Sequence, residues 1–195
     1  MPRPTLVLAS TSPYRRELLA RLRVPFEVAA PGIDETPRPG ESPHALVERL
    51  SREKALAVAP RFADALVIGS DQVAVLDGVP LSKPGTHERA VAQLAAMRGR
   101  TIEFLTGVAV HATATGATHA RVVPYFVEFR DYADAEAEAY LDAERPYDCA
   151  GAAKAEGLGI ALIRRMAGDD PTALVGLPLI ALVDLLAMHG FRPLP

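Results

Sequence analysis

The segment Ser10-Thr11-Ser12-Pro13-Tyr14-Arg15-Arg16 gathers hydroxyls, backbone N–H groups and two guanidinium ions. That mixture suits an anion. A helix N-terminus offers unpaired N–H donors and a partial positive charge, and arginine can grip phosphate oxygens with two parallel hydrogen bonds. The same residues would also serve as a plain helix cap with two solvated arginines. A second cluster, Gly69-Ser70-Asp71-Gln72, sets a carboxylate among Val67, Ile68, Val73 and Val75. Such a group needs a partner. Beside a phosphate it can hold a divalent cation or align and deprotonate water; otherwise it closes a turn or pairs with a nearby lysine. Lys54 and Lys83 are candidate point charges for phosphate, with ordinary solvated lysines as the other reading.

Other chemistries are disfavoured by what is missing. There is no GxxxxGK[ST] loop, no GxSxG elbow and no GxGxxG between a strand and a helix. The five histidines are scattered, and Cys149 is the single cysteine, so neither an internal disulfide nor a Cys/His zinc site is expected. Oxygen-only ligation favours magnesium or manganese. The formal charge of -3 gives no broad basic field, so nucleic acid is not expected as the main partner. Residues 5–9 are too short an apolar run for a signal peptide. The apolar stretch 172–188 is interrupted by Gly176, Pro178 and Asp184 and reads as a buried helix rather than a membrane span. No membrane partner and a reducing cytoplasmic location are therefore expected. A homodimer is compatible with the sequence.

The elements that must hold these residues follow from periodicity and capping. Residues 5–9 read as a strand, and Ser12 before Pro13 caps a helix carrying Leu18, Leu19 and Leu22. Residues 26–29 form a second strand. Residues 31–40, with three prolines and two glycines, form an irregular loop that holds Asp34 and Glu35. Ser42 and Pro43 cap a long helix ending near Pro60, with Lys54 in its final turns. Residues 65–68 begin a strand that runs through Asp71 to Leu76, where Asp77-Gly78 makes a hairpin turn. Thr86 caps a helix to Met97, and residues 101–111 and 121–129 form two strands able to pair antiparallel. Asp134 caps a helix to about Ala143, residues 160–163 form a strand, and a terminal helix follows. At 195 residues the chain reads as one α/β folding unit spanning 1–195.

The ordered set Leu8-Ala9-Ser10-Thr11-Ser12-Pro13-Tyr14-Arg15-Arg16, Asp34-Glu35-Thr36, Glu53-Lys54-Ala55, Gly69-Ser70-Asp71-Gln72-Val73 and Lys83-Pro84 resembles the Maf family. Thr106-Gly107-Val108, Tyr147-Asp148-Cys149-Ala150-Gly151, Lys154-Ala155-Glu156-Gly157 and Val175-Gly176-Leu177-Pro178-Leu179 stand where that family places its later motifs. The resemblance covers almost the whole chain. It implies an α/β fold of the kind shared with inosine triphosphate pyrophosphatases: a long mixed β-sheet with surrounding helices and two lobes around a cleft. It also implies hydrolysis of a nucleoside triphosphate to the monophosphate and pyrophosphate with a divalent metal. By family position Asp71 would be the proton acceptor, Glu35 a metal ligand together with Asp71, and Ser10, Arg15, Lys54 and Lys83 phosphate contacts.

Three positions separate the family's branches. The branch acting on dTTP and UTP has arginine, threonine and glutamine where this chain has Tyr14, Gln72 and Glu156. The chain is similar instead to the 7-methyl-GTP branch, with Tyr14 in place of that branch's usual tryptophan. Methylation at N7 makes guanine cationic, and an aromatic face attracts a cation by roughly 0.5–2 kcal/mol. Glu156 could accept from the guanine N1–H and amino group. The expected mechanism is in-line attack of water on the α-phosphorus. The alternatives are a dTTP/UTP pyrophosphatase of the same family and a non-catalytic nucleotide-binding regulator of septum formation.

Overall fold

A computed structural model describes residues 3–194. Its centre is one mixed sheet in the order β2-β1-β3-β5-β6-β7, with β4 pairing on β3. The strands are β1 (Thr5–Leu8), β2 (Phe26–Val28), β3 (Ala65–Leu76), β4 (Val79–Leu81), β5 (Thr101–Ala112), β6 (Thr118–Phe129) and β7 (Ile163–Ala167). The helices are α1 (Pro13–Ala20), α2 (Pro43–Val58), α3 (His87–Met97), α4 (Asp134–Glu144), α5 (Pro171–Val175) and α6 (Leu179–Met188).

Strand β3 organises the molecule. Along one edge its first residues, Ala65 to Ile68, pair in parallel with β1, and its last, Ala74 to Leu76, pair antiparallel with β4. The stretch between them, residues 69–73, has neither neighbour on that edge. Along the other edge β5 pairs from Leu66 to Val75 without a break. The sheet is therefore split on one side at Asp71, just past the C-terminal end of β1, where mixed α/β sheets leave room for ligands.

Side chains alternate across β3. Leu66 and Ile68 join a cluster with Leu18, Leu19, Leu182 and Leu186 from α1 and α6. Ala74 and Leu76 join a second cluster with Leu94, Met97 and Leu141 from α3 and α4. Ser70 and Gln72 fall between these two lobes, which makes the seam polar. On the opposite face Val7 and Val67 pack against Ala55 and Val58 of α2, and Val73 and Val75 pack against Val47.

The capping signals operate as expected at three helices. Ser12, Ser42 and Thr86 each accept an N–H from the first turn of α1, α2 and α3. Asp77 and Gly78 both take positive φ, 50° and 78°, the conformation that lets a two-residue turn join β3 to β4. Asp134 is not a cap. Ala133 holds that position, its N–H donating to Glu136 Oε2 at 2.8 Å, while Asp134 opens α4 and pairs with Arg98. Nor do residues 160–163 form a strand. Leu158–Leu162 is a 3-10 turn with Ile160 47% exposed, and pairing with β6 starts only at Ile163. The terminal helix is two helices, α5 and α6, broken where Gly176 adopts φ 115° and Pro178 cannot continue the ladder. Buried Asp170 joins them: Oδ1 accepts the Thr172 N–H at 3.0 Å and Oδ2 the Ile180 N–H at 2.8 Å. No helix among the described residues is long and apolar enough to cross a membrane.

Candidate active site

The split in the sheet opens into a cleft of about 1080 Å3. Ser10, Tyr14, Arg15, Glu35, Lys54, Asp71, Gln72, Lys83 and Glu156 all line it. Residues far apart in sequence thus face one volume.

Lys54 reaches this cleft because α2 sits unusually close to the sheet. It lies on the buried stripe of α2 with Leu50 and Val58. A Cβ added at Gly69 would stand 2.0 Å from the Ser51 carbonyl oxygen, and one at Gly107 2.4 Å from that of Val47. Both glycines let helix backbone touch strand backbone. The result is a buried ion pair, with Lys54 Nζ 2.6 Å from Asp71 Oδ1, and a second contact at 3.0 Å to Oε2 of Glu35, whose side chain is 55% exposed. Two carboxylates from separate elements converge on one ammonium. The plain sequence alternative for Asp71, pairing with a lysine, is what the structure shows, and the pairing brings Glu35 to the same point.

Glu35 comes from the proline-rich loop, which α2 also holds. Arg49 donates to both oxygens of Glu41 at 2.6 and 2.7 Å and to the Thr36 carbonyl at 3.2 Å. Those bonds hold the Glu41 carboxyl down to about 2. Asp34 does not enter the cleft; its carboxylate accepts from the N–H and hydroxyl of Thr36.

Arg15 is anchored from the other wall. Its Nε donates to the Gly176 carbonyl at 2.8 Å, and the Ser70 hydroxyl is shared between the same oxygen at 2.9 Å and the Gly107 carbonyl at 2.7 Å. Burial lowers the Arg15 pKa against the raising effect of Asp71 and Glu35, so the guanidinium faces those carboxylates from a poorly hydrated place. Ser10 is buried, and its Oγ accepts the Ser12 N–H at 3.2 Å. Lys83 stands exposed on the rim between β4 and α3.

The amide nitrogen of Gln72 is fully engaged, shared among Thr106 Oγ1 at 2.9 Å and the carbonyls of Ala173 at 2.8 Å and Leu174 at 3.0 Å. Thr106 Oγ1 itself donates to Ala173. Gln72 therefore ties β3 to α5, and only its oxygen is left for a ligand. Tyr14 and Glu156 lie together with Asp148 and Cys149, toward the α4 side of the cleft. Burial chiefly, then Cys149 and Asp148, raises the Tyr14 pKa.

Sequence reasoning gave no role to Ser70, Thr106 or Gly176, which orient Arg15 and Gln72. The signal was present in part: a serine between Ile68 and Gln72 on the buried face of a strand must find acceptors. That the acceptors are Gly107 and Gly176, 37 and 106 positions away, depends on tertiary packing.

For a metal, Glu35 and Asp71 supply two hard oxygen donors. No group of three or more His, Cys, Asp or Glu able to hold an ion occurs among the described residues. This set fits magnesium or manganese carried by a nucleotide, since such ions use one or two carboxylates together with phosphate oxygens and water.

A Maf-like protein profile matches residues 5–189. The chain belongs to the Maf family. A 7-methyl-GTP pyrophosphatase of Polaromonas sp. is 60% identical over 185 residues, which cover 95% of this chain and 84% of that protein. One of Methylobacillus flagellatus is 57% identical, covering 96% and 97%. One of Pseudomonas syringae pv. tomato is 57% identical with the same coverage. A solved nucleoside-triphosphatase / dITP/XTP pyrophosphatase of Mycobacterium abscessus aligns over 95% of each chain at 15% identity and a TM-score of 0.42, a likeness too loose to carry detail. As the motifs implied, this Maf protein has an α/β fold with a seven-stranded mixed sheet.

Proposed function

We propose that residues 1–195 form one catalytic unit, a nucleoside triphosphate pyrophosphatase that hydrolyses 7-methyl-GTP to 7-methyl-GMP and pyrophosphate. The observation that carries the chemistry is the convergence of Asp71 and Glu35 on Lys54 inside a cleft that also presents Arg15 and Ser10. The substrate follows from Tyr14 and Glu156 in the same cleft, and from relatives at 57–60% identity that bear the name 7-methyl-GTP pyrophosphatase.

In this mechanism Asp71 orients a water and takes its proton as the water oxygen bonds to the α-phosphorus. The bond from the α-phosphorus to the bridging oxygen breaks, and pyrophosphate leaves with the electron pair. Arg15, fixed through Nε, offers its remaining nitrogens to phosphate oxygens, and Ser10, Lys54 and Lys83 add donors and positive charge where the leaving group gains charge. A magnesium or manganese ion held by Glu35 and Asp71 would neutralise phosphate charge when bound. Tyr14 offers its ring to the cationic base and Glu156 accepts from the guanine edge.

A carboxylate able to accept a water proton beside phosphate-binding donors favours an enzyme over a nucleotide-binding regulator of septum formation, which has no use for a base. A dTTP/UTP substrate finds no use for Glu156 as an acceptor from N1–H and an amino group.

Hydrolysis in 18O-labelled water tests the reaction. Label in 7-methyl-GMP alone is expected. Label in pyrophosphate, or release of orthophosphate, would contradict attack at the α-phosphorus.

A further inference from the structure

The ring of Tyr14 already has a cation against it. Lys154 Nζ lies 5.6 Å from the ring centroid, and Glu144 Oε1 lies 3.1 Å from the same ammonium. Tyr14 lines the cleft, as do Ala153 and Ala155 on either side of Lys154, so this ammonium acts on a ring that borders the cleft. The two charged side chains are 26% and 19% exposed, so solvent screens their field at the ring in part.

The pair is held firmly. The Lys154 N–H donates to Tyr140 Oη at 3.0 Å, and Glu144 Oε2 accepts the Leu158 N–H at 2.9 Å. A Cβ at Gly157 would come 2.8 Å from the Glu144 carboxylate oxygens, so the backbone beside Glu156 rests on that carboxylate. The hydrogen bond to Glu144 raises the Lys154 pKa, which keeps the ammonium charged. Asp148 and Glu156 are the other charges facing Tyr14.

We propose that the Glu144–Lys154 ion pair tunes the base site, setting how strongly the cleft prefers a cationic 7-methylguanine to neutral guanine. The inference rests on the assignment of the base to Tyr14 and Glu156 above. A lone ammonium against the ring draws on the same π density and repels a second cation brought to it. Glu144 offsets that repulsion. The two members therefore act with opposite signs, which a loss of packing does not reproduce.

The test is the ratio of kcat/KM for 7-methyl-GTP to that for GTP. Lys154→Met keeps the side-chain stem and is expected to raise the ratio roughly three- to tenfold, and Glu144→Gln keeps an acceptor for Leu158 and is expected to lower it by a similar factor. Lys154→Arg and the double variant are expected to stay within about twofold of wild type. Both single variants shifting the ratio in the same direction, or neither shifting it, would overturn the proposal. Equilibrium binding of 7-methyl-GMP and GMP reads the same preference without hydrolysis. A wild type that binds 7-methyl-GMP but cleaves no 7-methyl-GTP would sink the functional reading while the opposite shifts in binding still decided the tuning.

Discussion

Lys54 Nζ donates to Asp71 Oδ1 across 2.6 Å, between side chains that are only 5% and 11% exposed. The ammonium therefore does two things: it satisfies a carboxylate buried in the middle of a strand, and it draws Glu35 to that carboxylate. Removing it in Lys54→Met leaves Asp71 buried and unpaired, at an expected cost of about 3 kcal/mol. Urea unfolding should show that loss together with a collapse of turnover. Unchanged stability would mean that water solvates Asp71 freely.

Gly69 is what allows that distance. In Gly69→Ala the new methyl would meet the Ser51 carbonyl at 2.0 Å, which is backbone and cannot swing aside. Helix α2 must move off the sheet, at an expected cost of about 3 kcal/mol, and it carries Lys54 with it. Thermal melting and pyrophosphate release should fall together. A variant with wild-type melting would contradict the close packing of α2 on β3.

Much of this arrangement was legible in the sequence because it is local. Capping by Ser12, Ser42 and Thr86, the Asp77-Gly78 turn and the apolar run around Asp71 depend on neighbours in the chain. Lys54 was legible as a candidate in the final turns of a helix, whereas its place on the buried stripe of α2 came from the structure. The residues that were not legible depend on distant packing. Nothing near Gln72 in the chain shows that its amide nitrogen is held by α5, leaving only its oxygen for a ligand. The break at Gly176 read as an interruption in one helix, although it creates the carbonyl that anchors Arg15. The strand expected at 160–163 failed because its apolar residues serve a 3-10 turn, with Ile160 left outside the core.

Cys149 lines the cleft but should be inert at neutral pH. Burial first, then Asp148, pushes its thiol up to about 12 from an ordinary 9.0. Only the thiolate reacts, so alkylation by iodoacetamide at pH 8 should be roughly a thousandfold slower in the native than in the unfolded protein, and should rise about tenfold per pH unit. Equal rates in the two states would show that the thiol is not desolvated.

Glu41 gives the fold an acid-sensitive clasp on the loop that carries Glu35. Hydrogen bonds from Arg49 hold its carboxyl down to about 2 from an ordinary 4.5. A depressed folded-state pKa contributes stability above the unfolded value and loses it as pH falls toward the folded one. The melting-temperature gap between wild type and Glu41→Gln should be constant above about pH 5 and shrink progressively below it. A gap independent of pH would show that Glu41 does not act through its charge.

The central claim is that Asp71 activates water in a cleft built for 7-methyl-GTP. The most direct test measures pyrophosphate release from 7-methyl-GTP, GTP, UTP and dTTP by wild type and Asp71→Asn, with magnesium or manganese. The expected result is preferential cleavage of 7-methyl-GTP by wild type, with turnover lost in Asp71→Asn while 7-methyl-GMP binding persists. Turnover retained in Asp71→Asn would contradict its role as proton acceptor, and a preference for UTP or dTTP would contradict the role given to Tyr14 and Glu156.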